Sequence, residues 1–311
     1  MYNRPLALPL YFTVFILPSL LWAQTKATHQ ASTFLLEQHL TNIVQTERPR
    51  NHLHPDMLDQ VAEYIFTELN KVCDTVFYQS YQAGGRTYRN VIGRSGNGEK
   101  VVVGAHYDVA GNQPGADDNA SGVAGLLELA RLVKQPVGQA IEFVAYTLEE
   151  PPYFRTEQMG SFVHARSLYD NGEKIQGMIS LEMIGYFSRK KKSQKYPIGL
   201  MRLFYGGRGD YITVVQKFGN GAFGRRIKWK MKRAGTLKTK SFKGPSKLPG
   251  VDFSDHLNYW KFGYNAVMIT DTAFYRNSNY HEKSDTLDTL DIKSMARVVE
   301  GVYLALEGLV K

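Results

Sequence analysis

A small set of polar residues interrupts apolar runs at places where metal chemistry would need them. His106 and Asp108 close "KVVVGAHYD", Glu149 and Glu150 close "IEFVAYTLEE", and Glu182 lies near the end of "GMISLEMIG". His281 follows "AVMITDTAFYRNSNYH", and Asp117 and Asp118 stand side by side in "PGADDNASG". Each has an ordinary reading. Asp, Asn and Ser before the apolar run that starts at Val123 suit a helix N-cap. A lone histidine after a strand is commonly a hydrogen-bonded loop residue, and paired glutamates before Pro-Pro commonly form a solvated turn. Taken together, acid and imidazole positions gathered at one edge of one sheet would repel one another without a cation. Zinc accepts imidazole nitrogen and carboxylate oxygen, and a catalytic site keeps a position for water. A pair of such ions needs a shared carboxylate, and one imidazole each completes a balanced set. The chain supplies two histidines, an excess of carboxylates and one acid left over to move protons. Cobalt or manganese would fit the same donors.

The elements that must position these residues follow from periodicity. Amphipathic helices are predicted over 31–46 and 55–71, the second with Leu58, Val61, Ile65 and Leu69 at helical spacing. "DTVFYQSYQ" and "RTYRNVIGR" alternate as paired strands about the Gly84-Gly85 turn. Strand 101–106 is a continuous β-branched run that suits burial on both faces. From there strands and helices alternate: helix 121–134, strand 140–147, helix 161–169, strand 177–184, a strand at 201–205, helix 254–262, strand 266–270 and a final helix over 292–309. That order predicts an α/β fold, a largely parallel mixed sheet sandwiched between helices. In such sheets the ligand crevice lies beyond the carboxyl ends of the strands, where the polar residues collect.

"AHYD", "PGADDNASG", "LEE", "LEMIG", "SDH" and "NYHEKSDT", in this order and spacing, resemble the zinc-dependent aminopeptidase family of co-catalytic di-zinc exopeptidases. Its relatives include glutamate carboxypeptidase and glutaminyl cyclase, and the resemblance covers about residues 85–290. It implies the zinc-exopeptidase (phosphorylase/hydrolase-like) fold and two Zn²⁺ ions. It implies Asp118 as the bridging carboxylate, with His106 and Glu182 completing one zinc and Glu150 and His281 the other. By the same resemblance Glu149 is the general base, which takes a proton from water and hands it to the leaving amine. Asp108 orients His106 through its far ring nitrogen, and Tyr280 steadies the oxyanion. Asp117 is then a neighbour that caps the turn or helix. The implied activity is removal of N-terminal residues from peptides. The rivals are a single-zinc glutaminyl cyclase and a catalytically silent binding module on the same scaffold. Three features depart from the family's pattern. Glu182 stands where Asp is usual; "PPYFRTEQM" is longer than the usual loop and is expected to wall the substrate pocket with Phe154 and Arg155; and the basic segment is larger than a catalytic core needs.

The 311 residues, 43% hydrophobic, suffice for a large core without disulfides, and Cys73 is the only cysteine. Arg4 is the only charge in the first 24 residues, and 6–22 is apolar apart from Thr13 and Ser19. This predicts a secretory signal over 1–23 with cleavage after Ala23, or an uncleaved anchor. A single catalytic domain over 24–311, exported to a periplasm or the medium and monomeric, is the expectation. The net charge of +9 is uneven: 183–251 holds 18 Lys and Arg against Asp210 alone, so the remainder carries −8. A basic insertion at about 189–250 with Trp229 and Phe242 could suit nucleic acid. For an exported protein a solvated insertion, or peripheral contact with an anionic envelope surface, is the favoured reading. Peptides are the expected partners.

Overall fold

The run Val101–Val103 lies at the centre of an eight-stranded sheet, and its burial on both faces explains its composition. The structure is a computed structural model and describes residues 30–133, 138–219 and 221–309. The expected signal over 1–23 lies outside the described residues. In chain order the elements are α1 (Thr33–Val44), α2 (Pro55–Asn70), β1 (Thr75–Ala83), β2 (Arg86–Gly96), β3 (Glu99–His106), a kinked turn (Ala116–Ser121) and α3 (Gly122–Leu132). They continue with β4 (Gln139–Tyr146), α4 (Gly160–Asp170), β5 (Ile175–Glu182), α5 (Met201–Tyr205), β6 (Ile212–Lys217) and α6 (Phe223–Ala234). The last are β7 (Thr239–Gly244), α7 (His256–Lys261), β8 (Ala266–Thr270) and α8 (Ile292–Glu307), with two short 3-10 turns between β8 and α8.

The sheet order is β1-β2-β4-β3-β5-β8-β6-β7. The centre β4-β3-β5-β8 is parallel throughout, while β1, β2 and β4 run antiparallel in succession and β6 is antiparallel to β8. Side chains alternate across the sheet as strand geometry requires. Val101, Val103 and Ala105 join a core with residues of α1, α2, α3, α6 and α8; Val102 joins a second core with residues of α4 and α7. Gly104 belongs to the second face, where a Cβ would come within 2.2 Å of the Tyr146 ring, so the strand needs glycine there.

The basic segment contributes to the sheet itself. Its β6 and β7 pair in parallel from Ile212↔Thr239 to Lys217↔Gly244 and form one edge. Helix α6 buries Phe223, Gly224, Ile227 and Met231 at helical spacing and lies against α8, while Arg225, Trp229, Lys232 and Arg233 face outward. The strand expected at 201–205 is instead the short helix α5, bounded by Gly199 and by Gly206 with φ 76°. Its apolar residues pair with no strand among the described residues, and Leu203 and Phe204 point into solvent.

Beneath α4 the Glu142 carboxylate is buried against His164 Nε2 at 3.0 Å, with Lys100 at 3.4 Å and Arg94 also in contact. Burial alone would raise its pKa; His164, Lys100 and Arg94 outweigh that and hold it at about 2, against 4.5 unperturbed. A depressed folded pKa contributes stability above the unfolded value, and that contribution disappears as pH falls through the folded value. The wild type is therefore expected to lose on the order of 3 kcal/mol between about pH 5 and 2 from this group. Urea unfolding of Glu142→Gln should show the deficit at pH 7 and a gap closing towards pH 2. An equal gap at both pH values would refute the assignment.

Candidate active site

The parallel strands deliver the expected residues to one place. His106 is the last residue of β3, Glu182 the last of β5, and Glu149 and Glu150 follow β4. Asp118 comes from the kinked turn before α3, and His281 from the loop beyond β8. His106 Nε2 lies 3.5 Å from Asp118 Oδ1 and 3.4 Å from Glu182 Oε2. His281 Nε2 lies 3.2 Å from Asp118 Oδ2 and 3.3 Å from Glu150 Oε2. Besides His106–Glu149–Glu150, two donor triads result, His106–Asp118–Glu182 and Asp118–Glu150–His281, each with its atoms within 4.8 Å. Asp118 belongs to both and turns one oxygen towards each histidine. Glu149 stands to one side, its Oε2 3.9 Å from His106 Nε2.

The turn that presents Asp118 is fastened from several directions. The amides of Asp117 and Asp118 donate to the two oxygens of Asp285 at 2.9 and 3.0 Å. Asn119 Oδ1 accepts from Gly122 N and Met183 N, both at 3.0 Å, and its Nδ2 donates to Leu181 O. A Cβ on Gly122 would fall 2.3 Å from Asn119 Oδ1 and 2.5 Å from Leu181 O, so glycine is required where α3 begins. Asp117 turns away from the triads. Its carboxylate accepts from Gly185 N at 3.0 Å, Asn277 Nδ2 at 2.8 Å and Ser121 Oγ at 3.2 Å. It thus ties the turn to the exit of β5 and to the His281 loop, and Asn119 does the local capping.

Asp108 faces the far nitrogen of His106, with its carbonyl oxygen at 3.2 Å and Oδ1 at 3.5 Å from Nδ1. Its carboxylate also accepts from the amides of Glu149 and Glu150, both at 3.1 Å, so one side chain sets the imidazole and the two glutamates together. The longer arm of Glu182 is held by Ser254 Oγ, which donates to its Oε2 at 2.7 Å. Tyr280 stacks on His281 with ring centroids 3.9 Å apart and 17° between planes.

Several contributors lie outside the expected set. Asp285 belongs to the quoted "NYHEKSDT" but received no role from sequence. Arg50, in the loop between α1 and α2, is buried; its Nε donates to Tyr107 O at 2.9 Å and its amino groups to Pro114 O and Gly115 O. Burial pulls its guanidinium down to about 10, still charged at neutral pH, and it pins the chain between His106 and Asp118. Left-handed backbone at Leu148, Met183, Thr272 and His281 marks the exits of three strands and the last donor loop. Such conformations cost about 1–3 kcal/mol each and persist where surrounding contacts fix them.

The electrostatics suit a cation. All five donor side chains except His281 are almost fully buried. Burial first, then the neighbouring carboxylates, raises Glu149 well above the usual range and Glu150 to about 7; Glu182 is also raised. For Asp118 burial is outweighed by hydrogen bonds from both histidines, which hold it low. Burial would lower His281, but Asp118 and Glu150 lift it to about 10. Glu150 Oε1 is buried without a hydrogen-bond partner, and Asp118 Oδ2 faces only the His281 imidazole. Buried acceptors of this kind need either a proton or a metal, and a two-imidazole, three-carboxylate donor set fits zinc.

A cavity of about 250 Å³ opens beside Asp118, Glu149, Glu150 and His281. Phe154, Tyr196, Tyr211, Phe242, Phe253 and Phe274 supply much of its wall, and three of these belong to the basic segment. Phe154 is where the sequence placed it. Arg155 is not part of the wall: it pairs with Asp252 at 2.6 Å and covers the Phe154 and Phe253 rings from outside.

Residues 90–306 match the sequence profile of Peptidase family M28. The chain is 42% identical over 310 residues to protein YfbL of Escherichia coli (strain K12), covering 94% of this chain and 95% of that one. It is 29% identical over 213 residues to the probable leucine aminopeptidase 1 of Trichophyton verrucosum (strain HKI 0517), covering 63% of this chain and 51% of that one. The chain thus spans about half the length of that aminopeptidase. The fold is that of a leucine aminopeptidase precursor from Bacteroides thetaiotaomicron, with a TM-score of 0.66, 19% identity, and coverage of 89% of this chain and 97% of the other. A glutaminyl cyclase from the same organism superposes with a TM-score of 0.64 and 19% identity, covering 89% and 98%.

Proposed function

The chain belongs to peptidase family M28, and we propose that it is a di-zinc aminopeptidase that removes N-terminal residues from peptides. The observation that carries this reading is Asp118, one carboxylate shared by two donor triads with an oxygen turned to each. His106, Asp118 and Glu182 would hold one ion; Asp118, Glu150 and His281 would hold the other. Zinc there supplies Lewis acidity for a peptide carbonyl and lowers the pKa of water.

The remaining work belongs to side chains. Glu149 lies beside both triads, and burial raises its proton affinity, which suits a group that accepts a proton from water and returns it to the leaving amine. Tyr280 lines the cavity, and burial keeps its phenol protonated, so it can donate to the oxygen on which charge develops. Asp108 holds His106 in one orientation and fixes the backbone of both glutamates. The aromatic wall would receive an apolar side chain of the N-terminal residue and exclude water from it. One chain supplies every donor of the two triads, and a monomer is the working unit of this proposal. The apolar stretch 6–22 supports export.

Metal analysis of the purified protein, with release of p-nitroaniline from a panel of aminoacyl substrates, tests this. Two equivalents of zinc, with release abolished by a chelator and restored by zinc, is the expected outcome. One equivalent, no release and cyclisation of an N-terminal Gln peptide would instead establish the cyclase. A protein that binds no metal would be a silent scaffold.

A further inference from the structure

The segment that walls the cavity turns a second face outward. Tyr196, Pro197, Met201 and Tyr205 line the cavity. Interleaved with them, Leu203 and Phe204 are 79% and 80% exposed, and Ile198 and Leu200 are each more than half exposed. Four large apolar side chains within seven residues, this far out of the surface, cannot be explained by packing. Such patches mark contact sites. The flanks are cationic: Arg189, Lys190, Lys191, Lys192, Lys195, Arg202 and Arg208 are all exposed, and no carboxylate occurs from Met183 to Gly209.

We propose that this face docks on an anionic phospholipid bilayer, with Leu203 and Phe204 entering the interface and the flanking Lys and Arg meeting lipid headgroups. The combination of protruding apolar side chains with a basic surround is what interfacial binding requires. A peptide rest would call for a groove, whereas these residues project. A nucleic-acid surface would need the cations but would leave Leu203 and Phe204 unused. No helix among the described residues is long and apolar enough to cross a membrane, and the contact proposed for this face is a peripheral one. Because the segment's other face walls the cavity, docking would place the mouth of the site close to the bilayer. The proposal does not depend on the metal count or on the reaction.

The test is co-sedimentation of the full chain with phosphatidylcholine vesicles, with and without about one third phosphatidylglycerol. Two double variants accompany the wild type, Leu203→Ser with Phe204→Ser, and Lys191→Glu with Lys192→Glu. The apolar segment at 6–22 is common to all three proteins and cancels in the comparison. Wild type should partition to the anionic vesicles in a salt-sensitive manner. Each variant should partition on the order of tenfold less while keeping wild-type turnover of a soluble aminoacyl p-nitroanilide. Wild-type partitioning by either variant would overturn the proposal, as would equal binding to neutral vesicles. A dimer broken by the Ser variant, with partitioning unchanged, would assign the face to a second copy. Slower cleavage of long peptides alone would assign it to substrate.

Discussion

Replacing Glu149 by Gln is expected to reduce kcat by about 10³-fold and leave the zinc content at the wild-type value. Gln keeps the size of the side chain and one of its oxygens, and Glu149 belongs to neither triad that shares Asp118. The substitution therefore keeps the shape of the side chain while removing its charge and its ability to carry a proton. The loss corresponds to about 4 kcal/mol of transition-state stabilisation. Because Asp108 grips the backbone amide of residue 149 rather than its side chain, the loop should keep its shape. Metal analysis together with kcat on an aminoacyl p-nitroanilide decides the matter. Turnover within a factor of ten of wild type would move the proton-transfer role to another residue.

Asp118→Ala should have a larger effect of a different kind. Each oxygen of Asp118 faces one histidine, at 3.5 and 3.2 Å, so a single truncation takes a donor from both triads. It leaves His106 beside Glu182 and His281 beside Glu150, two donors per site where catalytic zinc sites use three protein ligands. Both ions should be lost at submicromolar free zinc, and turnover should fall to the uncatalysed rate. Glu150→Ala is the comparison, since it weakens only the site with His281 and should leave about one equivalent bound. Full zinc occupancy in Asp118→Ala would disprove the bridging assignment.

That the candidate donor residues would lie together was legible because two signals coincide in the chain. A β-branched run such as Val101–Val103 suits a strand buried on both faces, and the polar residue that ends it then lies at a sheet edge. The same logic located Glu149, Glu150 and Glu182, and the parallel centre of the sheet brought them together. Where the signals separate, sequence reading weakens. The segment Met201–Tyr205 has the composition of a strand, but no neighbouring strand pairs with it, and it closes into one helical turn. Strand β6, with Ile212, Val214 and Val215 buried, lay unrecognised among lysines and arginines whose charges belong to the other face of the segment and to α6. Arg50 and Asp285 act on backbone groups far away in sequence, up to 65 residues for Arg50 and 168 for Asp285. No local pattern encodes such a partner. Asp285 lay inside a quoted motif; Arg50 lay inside none.

Asp285 also fixes when the molecule can act. The turn bearing Asp118 is clamped from a loop that the ribosome makes long after β3, β4 and β5, and His281 arrives on that same loop. Until β8 has entered the sheet and this loop has closed over the turn, the triad with His281 is incomplete and the shared carboxylate lacks its clamp. Closure of so long a loop is a slow, late event in folding. A nascent or partly folded chain therefore lacks a finished site, a latency built into chain order.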